Sequence, residues 1–155
     1  MKKKIFLYTL FAIAFFYSPG KVSGQIIKPK ARLNHIAIYV HDLKKSTDFY
    51  NHIVGLDTIP EPFHDGRHTW FSIGDKSHLH LIQGAAAGLS FEKNSHLCFS
   101  VASVENFIGI LVKYNIEYEN WPGEKKTITK RVDGVKQIYF KDPDGYWVEI
   151  NDAKE

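Results

Sequence analysis

Two histidines of this sequence stand at the same point of an internal repeat. Residues 34–43 align with residues 95–104 at an offset of 61 residues, and most of the apolar positions match. In that alignment His35 coincides with His96. An internal repeat constrains a fold more strongly than a single motif does. The two imidazoles are therefore predicted to occupy equivalent positions in two similar structural units.

A second pair of potential metal ligands follows further along each copy. Residues 74–81 align with residues 143–150 at an offset of 69 residues, so that His80 meets Glu149. His78 shares a strand face with His80 and is the alternative candidate for its position. Imidazole and carboxylate groups together suit zinc, nickel, iron(II) or manganese. The sequence predicts one divalent metal ion with four ligands, which are His35, His80, His96 and Glu149.

Such a site suggests a particular kind of reaction. Four protein ligands on an octahedral ion leave two positions free, and two adjacent positions can chelate neighbouring oxygen atoms of a substrate. A divalent ion stabilises negative charge as it develops on those oxygens and makes bound water more acidic. Proton abstraction next to a carbonyl fits this arrangement. Glu149 is the candidate catalytic base, with His80 or a metal-bound hydroxide as the alternatives.

The elements that must position these residues follow a βαβββ pattern in the first copy. Residues 33–40 alternate as a strand and place His35 on its less apolar face. Asp42 is a suitable cap for a helix that Gly55 ends. The further strands of this unit are predicted at 56–59, 68–73 and 78–83.

The same pattern returns after a linker of small residues, 84–94. It begins with a strand at 95–101 and continues with a helix capped by Ser103. This helix is predicted to bury one face, made of Val104, Phe107, Ile108, Leu111 and Val112. The remaining strands are predicted at 116–119, 135–141 and 146–151.

The predicted fold class is therefore α+β, with two tandem βαβββ units. The units span 33–84 and 95–152 and together form a single domain, 33–152. One four-stranded sheet with one helix cannot cover both of its faces. We expect the two sheets to lie side by side as a half-open curved sheet around the metal site, with the four ligands on its concave face.

These features resemble the vicinal oxygen chelate superfamily, which includes glyoxalase I, fosfomycin-resistance thiol transferases, extradiol dioxygenases and bleomycin-binding proteins. The resemblance covers about 33–151. The segments that carry it are 34–40, Phe49 with Tyr50, His96, 140–145 and 148–150. The family's metal ligands fall on the same four residues as those of the repeat. Bacterial glyoxalase I differs by having a glutamate where His80 stands.

The resemblance implies a divalent-metal-dependent lyase or isomerase of glyoxalase I type, acting on a small substrate through vicinal oxygens. The alternatives are an iron(II) ring-cleaving dioxygenase that uses His35, His96 and Glu149, a fosfomycin-type resistance transferase, and a non-catalytic sequestering protein. The family often forms dimers, so a homodimer is expected.

The first 24 residues predict export. Lys2, Lys3 and Lys4 precede an apolar run, 5–16, and small residues end the segment at Gly24. The apolar run is shorter than the roughly 20 residues that span a bilayer, so we expect a cleaved signal peptide and no stable membrane anchor. A polar leader, 25–32, then begins the mature chain. The expected location is periplasmic or secreted.

Charge and cysteine content narrow the remaining classes. Removal of residues 1–24 takes away four lysines and no acidic residue, which changes the formal charge from +3 to −1. A near-neutral chain lacks the basic surface of a nucleic-acid-binding protein. Cys98 is the only cysteine, so the chain has no internal disulfide. We expect Cys98 to be a wall residue of the site rather than a nucleophile.

Overall fold

The computed structural model describes residues 30–154. The chain from Arg32 onward forms one compact unit. The predicted signal peptide, 1–24, and the leader up to residue 29 lie outside the described residues. Within 30–154, no helix has the length and apolar character needed to cross a bilayer.

The first repeat contains four strands and one helix. Its elements are β1 (His35–Val40), α1 (Leu43–Phe49), a π-helical turn (Tyr50–Val54), β2 (Thr58–Ile59), β3 (His68–Ser72) and β4 (His78–Gln83). The strand order in the sheet is β1-β4-β3-β2, with β1 and β4 parallel. The Asp42 side chain accepts the N–H of Lys45 and so caps α1, and Gly55 ends the π-helical turn in the left-handed conformation.

The second repeat has the same arrangement. Its elements are β5 (His96–Ser100), α2 (Val104–Lys113), β6 (Thr129–Lys130), β7 (Lys136–Lys141) and β8 (Trp147–Asn151). The strand order is β5-β8-β7-β6, again with the first and last strands parallel. The Ser103 hydroxyl caps α2 by accepting the N–H of Asn106. The predicted fold class, α+β with two tandem βαβββ units, is confirmed.

Three details differ from the sequence prediction. Residues 116–119 do not form a strand, because only Glu119 pairs with β7, through two backbone hydrogen bonds of 2.8 Å with Tyr139. The second strand of this repeat lies further on, as β6. The buried face of α2 is narrower than predicted and consists of Val104, Phe107 and Leu111. Val112, which was predicted to be buried, is 63% exposed. The third difference is the π-helical turn, Tyr50–Val54, which no feature of the sequence predicted.

One face of each sheet builds the core. Alternate residues of the central strands are buried there, namely Ile38, Val40, Leu79, Leu81, Ile138, Phe140, Val148 and Ile150. Helices α1 and α2 add Phe49, Phe107 and Leu111 to the same cluster. Successive side chains of a strand point to opposite faces. The odd-numbered residues of β1 and the even-numbered residues of β4 therefore lie on the other face. We call this the site face of each sheet.

Hydrogen bonds join the first repeat to the turn after β7 in the second repeat. Tyr50 donates its hydroxyl proton to Asp142 at 2.8 Å, and Ser46 donates to Asp144 at 2.5 Å. The backbone N–H of His41 also donates to Asp144, at 2.6 Å. Burial raises the pKa of Asp142 to about 6, although the hydrogen bonds from Tyr50 and the turn backbone act in the opposite direction.

This shift predicts a pH dependence of stability. An unfolded aspartate titrates near pH 3.9, so between roughly pH 4 and pH 6 the folded chain binds more protons at Asp142 than the unfolded chain does. That contribution therefore lowers the free energy of unfolding as the pH rises. In the Asp142→Asn variant this dependence disappears. Urea denaturation should show that the stability difference, wild type minus variant, falls by about 2 to 3 kcal/mol between pH 4 and pH 7.

The matched control is Asp75→Asn, which changes an exposed aspartate in the turn between β3 and β4. Its difference from the wild type should change little over this range. Parallel stability curves for wild type and Asp142→Asn would contradict the buried, proton-binding role of Asp142.

Candidate functional site

Two of the predicted ligands, His35 and His80, lie on the site face of the first sheet. We call them the first ligand pair. Their rings are parallel, with centroids 4.4 Å apart and an interplanar angle of 7°. The Trp70 ring stacks on the opposite side of His80, with a centroid distance of 3.9 Å and an angle of 2°. The His80 imidazole is therefore enclosed between two aromatic neighbours.

The strand register explains this stack. His80 on β4 is directly opposite Ala37 on β1 and Trp70 on β3. Because Ala37 has only a methyl group, His35, two residues earlier on β1, can lean across onto the His80 ring. His78 shares the face, as predicted, but its ring centroid is 6.0 Å from that of His80. The ring that stacks on His35 is that of His80 rather than His78.

His80 also carries an unsatisfied polar atom. The residue is only 9% exposed, and its Nε2 has no hydrogen-bond partner among residues 30–154. Burial, followed by the neighbouring imidazoles of His35, His78 and His68, lowers the pKa of His80. A neutral imidazole nitrogen that is buried without a partner is costly, unless something else binds it. A metal ion bound to His80 Nε2 would be such a partner.

The other two predicted ligands, His96 and Glu149, lie on the site face of the second sheet. We call them the second ligand pair. His96 Nε2 is 3.2 Å from the Glu149 carboxylate oxygen Oε2. His96 Nδ1 lies 2.7 Å from the backbone carbonyl of Lys93, which fixes that nitrogen as the donor. In the neutral ring Nε2 then presents a lone pair to a carboxylate, so a proton or a cation is needed between or beside them.

Glu149 is held by several donors. Tyr139 donates its hydroxyl proton to Oε2 at 2.6 Å, and the Asn151 side-chain amide donates to Oε1 at 2.9 Å. Gln137 donates in turn to the Tyr139 hydroxyl at 2.6 Å. Burial opposes the ionisation of Glu149, which is only 6% exposed, but the hydrogen bonds outweigh burial and lower the pKa of this carboxyl. Glu149 is therefore ionised at neutral pH.

These supporting residues were not identified from the sequence. Trp70, Tyr139, Asn151 and Gln137 have no motif of their own. The available signal was the period of two, since each lies an even number of residues from its partner or directly opposite it in the neighbouring strand. To use that signal, one would need to know which residues of neighbouring strands are paired.

The structure brings the four predicted ligands together as two pairs. Within residues 30–154, no group of three or more histidine, cysteine, aspartate or glutamate side chains is close enough to hold a metal ion. Each pair taken alone supplies two side chains of the types that bind divalent ions. The unpartnered His80 Nε2 and the lone pair of His96 Nε2 fit that role. The complete four-ligand set remains a prediction.

Cys98 lies beside the second ligand pair. Its sulfur is 3.3 Å from Glu149 Oε1 and accepts a proton from the Asn151 amide at 3.1 Å. The residue is exposed, and its thiol lies in contact with these two side chains. Burial and the Glu149 carboxylate raise the pKa of Cys98 to about 12. A thiol in this state is a poor nucleophile.

The comparison with known families identifies the superfamily of this chain. The family model described as the Glyoxalase/Bleomycin resistance protein/Dioxygenase superfamily matches residues 32–150. The chain belongs to this superfamily. The match includes both ligand pairs. Members of the superfamily commonly are metal-dependent enzymes that act on small molecules, and they often form dimers.

Individual members of the superfamily show how far the similarity extends. A lactoylglutathione lyase of Pseudomonas putida is 27% identical over 154 residues, which cover 76% of this chain and 82% of that protein. The structure named Oxidase ChaP-H2 superposes with a TM-score of 0.66 at 24% identity, covering 81% of this chain and 96% of that chain.

A fosfomycin resistance protein, FosX from Listeria monocytogenes, superposes with a TM-score of 0.64 at 22% identity and the same two coverages. At these identities, the two solved structures show a shared fold and nothing more specific.

The environment of Cys98 predicts low thiol reactivity. With its pKa near 12, the folded protein at pH 8 holds roughly a thousandth of the thiolate that an unperturbed cysteine would hold. Reaction with a disulfide reagent should therefore be at least about 100-fold slower in the folded protein than in guanidinium chloride.

Glu149→Gln should accelerate the reaction of the folded protein, because it removes the neighbouring negative charge. The unfolded protein supplies the control, since Cys98 is the only cysteine. Equal rates in the folded wild type and in guanidinium chloride would contradict the assigned environment.

Proposed function

We propose that this protein is a divalent-metal-dependent lyase or isomerase of glyoxalase I type, acting on a small substrate chelated through vicinal oxygens. The single observation that carries the proposal is the buried Nε2 of His80, which lacks a partner among residues 30–154. A neutral, desolvated imidazole on the site face is a donor prepared for a Lewis acid.

The proposed ligands are the two pairs, His35 with His80 and His96 with Glu149. Because one described chain keeps them as separate pairs, we also propose a homodimer in which a pair from one copy can meet a pair from the other. The often dimeric state of superfamily members supports this arrangement. The zinc, nickel, iron(II) and manganese ions all accept this mixture of imidazole and carboxylate.

A divalent ion bound there supplies Lewis acidity to the substrate oxygens. The residues of this chain do the rest. His96 is oriented by its hydrogen bond to the Lys93 carbonyl, and the Tyr139 hydroxyl keeps Glu149 in place. Glu149 is the proposed base. Tyr139 donates to Oε2, and the Asn151 amide and the Cys98 thiol donate to Oε1, so hydrogen bonds orient both oxygens of the base.

The relatives support the reaction class without fixing the substrate. The 27% identity to a lactoylglutathione lyase places the thiol adduct of a 2-oxoaldehyde among the compounds to test. Export would separate the enzyme from thiol conjugates made inside the cell, so epoxides and catechols are tested beside it. Bacterial glyoxalase I has a glutamate at the position of His80, so this chain has one carboxylate fewer. We propose that Glu149 alone carries the proton-transfer role that glutamate ligands share in that branch.

A second candidate function is an iron(II) oxygenase. The stacking of the His80 ring between His35 and Trp70 favours it, because packing on both faces holds this ring in place without a metal bond. The ligands would then be His35, His96 and Glu149, which form the two-histidine, one-carboxylate set of such enzymes. The fold shared with Oxidase ChaP-H2 is compatible with this alternative.

The location of the protein is also part of the proposal. We propose that residues 1–24 are removed during export and that the enzyme acts outside the cytoplasm. The charged start, the short apolar run and the small residues before Gln25 support this interpretation.

Substitution of any one ligand should abolish tight metal binding. We expect His80→Ala and Glu149→Ala each to weaken binding by at least about 100-fold, because each removes a direct donor. Equilibrium dialysis with zinc or nickel, followed by elemental analysis, measures this change. Turnover of the glutathione adduct of methylglyoxal should fall in parallel.

His64→Ala is the control, because that residue lies exposed in the loop before β3. His78→Ala tests the rival assignment and should cost less than His80→Ala. Retained stoichiometric metal in His80→Ala, together with oxygen consumption on a catechol, would replace the lyase proposal by the oxygenase. Retained metal and turnover in Glu149→Ala would refute both.

Export predicts a defined mature N-terminus. The full chain, expressed in a bacterium, should appear in the periplasmic or secreted fraction as a protein that begins at Gln25, as measured by intact mass. Replacement of Lys2, Lys3 and Lys4 by glutamate should retain it in the cell. Full-length protein in the cytoplasm of the wild-type strain would contradict the proposal.

A further inference from the structure

A cavity lies away from both ligand pairs. It has a volume of about 360 Å³ and is bounded by α1, the π-helical turn, the segment after α2 and the turn after β7. None of the four proposed metal ligands lines it. Its apolar wall is formed by Phe49, Ile53, Tyr114 and Ile116. The cavity is large enough for a small organic molecule.

The π-helical turn contributes to the shape of this cavity. His52 and Ile53 belong to that turn and line the cavity. A π-turn adds a residue to the helical turn and is common at functional sites. The opposite wall comes from the second repeat, through Ile116 and Pro143. The cavity is therefore built from both repeats and depends on the folded domain.

Charged side chains of both signs line the cavity, and they differ in their partners. Lys45 lines it and forms no salt bridge within residues 30–154. Asp48 also lines it, but its carboxylate is already paired with Lys44 at 2.5 Å. The Asp142 carboxylate accepts the Tyr50 hydroxyl and two backbone N–H groups of its own turn. Both carboxylates therefore have partners, whereas the Lys45 ammonium has no salt-bridge partner among residues 30–154.

His52 and Lys141 also line the cavity. The Lys141 ammonium lies 4.9 Å from the ring centroid of Trp147, which is not a lining residue, so Lys45 is the cation at the rim of this cavity. An apolar wall with such a cation at its rim matches a molecule that has an apolar body and one negative group.

We propose that this cavity is a binding site for a small amphipathic anion, such as a medium-chain or aromatic carboxylate. The apolar body packs against Phe49, Ile53 and Tyr114. The carboxylate lies beside Lys45. This site is separate from the ligand pairs, and the proposal does not rest on the proposed function.

The binding of octanoate tests the site directly. In protein with labelled isoleucine methyl groups, octanoate should shift the NMR signals of Ile53 and Ile116 and leave that of Ile38, in the core of the first sheet, unchanged. Octylammonium, with the same chain and the opposite charge, should bind far more weakly. The same shifts should occur in the presence of EDTA, which separates this site from any bound metal.

Two variants locate the charge and the apolar wall. Lys45→Glu should weaken octanoate binding roughly three- to tenfold, since it reverses one charge at a partly solvated site. Tyr114→Ala should weaken it roughly fivefold, since it removes part of the wall. Lys76→Glu is the matched control, with the same change of net charge in the exposed turn between β3 and β4, and should leave affinity within roughly a factor of two.

Several outcomes would overturn the proposal. Shifts confined to residues near the ligand pairs would place octanoate elsewhere. Equal affinity for octanoate and octylammonium would remove the role of charge. Unchanged affinity in both Lys45→Glu and Tyr114→Ala would show that this cavity is not the site.

Discussion

The alternation of side chains along each strand is the constraint on which the rest of this structure depends. One face of both sheets is committed to a single apolar cluster, so every residue of the other parity is placed on the site face. His35, His80, His96 and Glu149 all have that parity. A shift of one residue in any central strand would move its ligand into the core. The hydrophobic effect thus fixes the direction of each ligand before any polar contact is made.

His80 and Glu149 are both held in their deprotonated form, but by different physical causes. His80 is neutral because burial and neighbouring imidazoles disfavour its charged form. Glu149 is ionised because hydrogen bonds from Tyr139 and Asn151 outweigh its burial. Metal ligands must be deprotonated, so both shifts act in the direction that favours binding near neutral pH. Burial therefore favours the deprotonated form of His80, and hydrogen bonds favour that of Glu149.

Much of the fold was predictable because its signals are local. Asp42, Gly55 and Ser103 have short-range roles as caps, and the strands beside the two tight hairpin turns alternate clearly. The failures arose where tertiary contacts decide. Residues 116–119 have strand composition, but only Glu119 finds a partner there.

The sequence predicted the face on which the four proposed ligands lie, but not how the two pairs are placed relative to one another. The repeat alignment could match His35 with His96 and His80 with Glu149, yet it contains no information on the distance between the two sheets. The stack of Trp70 on His80 and the hydrogen bond from Tyr139 depend on which strands are neighbours. That order, β1-β4-β3-β2, is set by long-range pairing that a linear sequence does not display.

The parallel pairing of the first and last strands in each repeat has a consequence for folding. His35 and His80 lie on β1 and β4, and His96 and Glu149 lie on β5 and β8, so each pair joins strands separated by almost a whole repeat. Hairpins can form early from neighbouring residues, whereas these parallel contacts require closure of a long loop. During synthesis, the donor atoms of each repeat can therefore come together only after its final strand has emerged. The candidate site is thus completed by the parallel strand contacts, which are expected to form last.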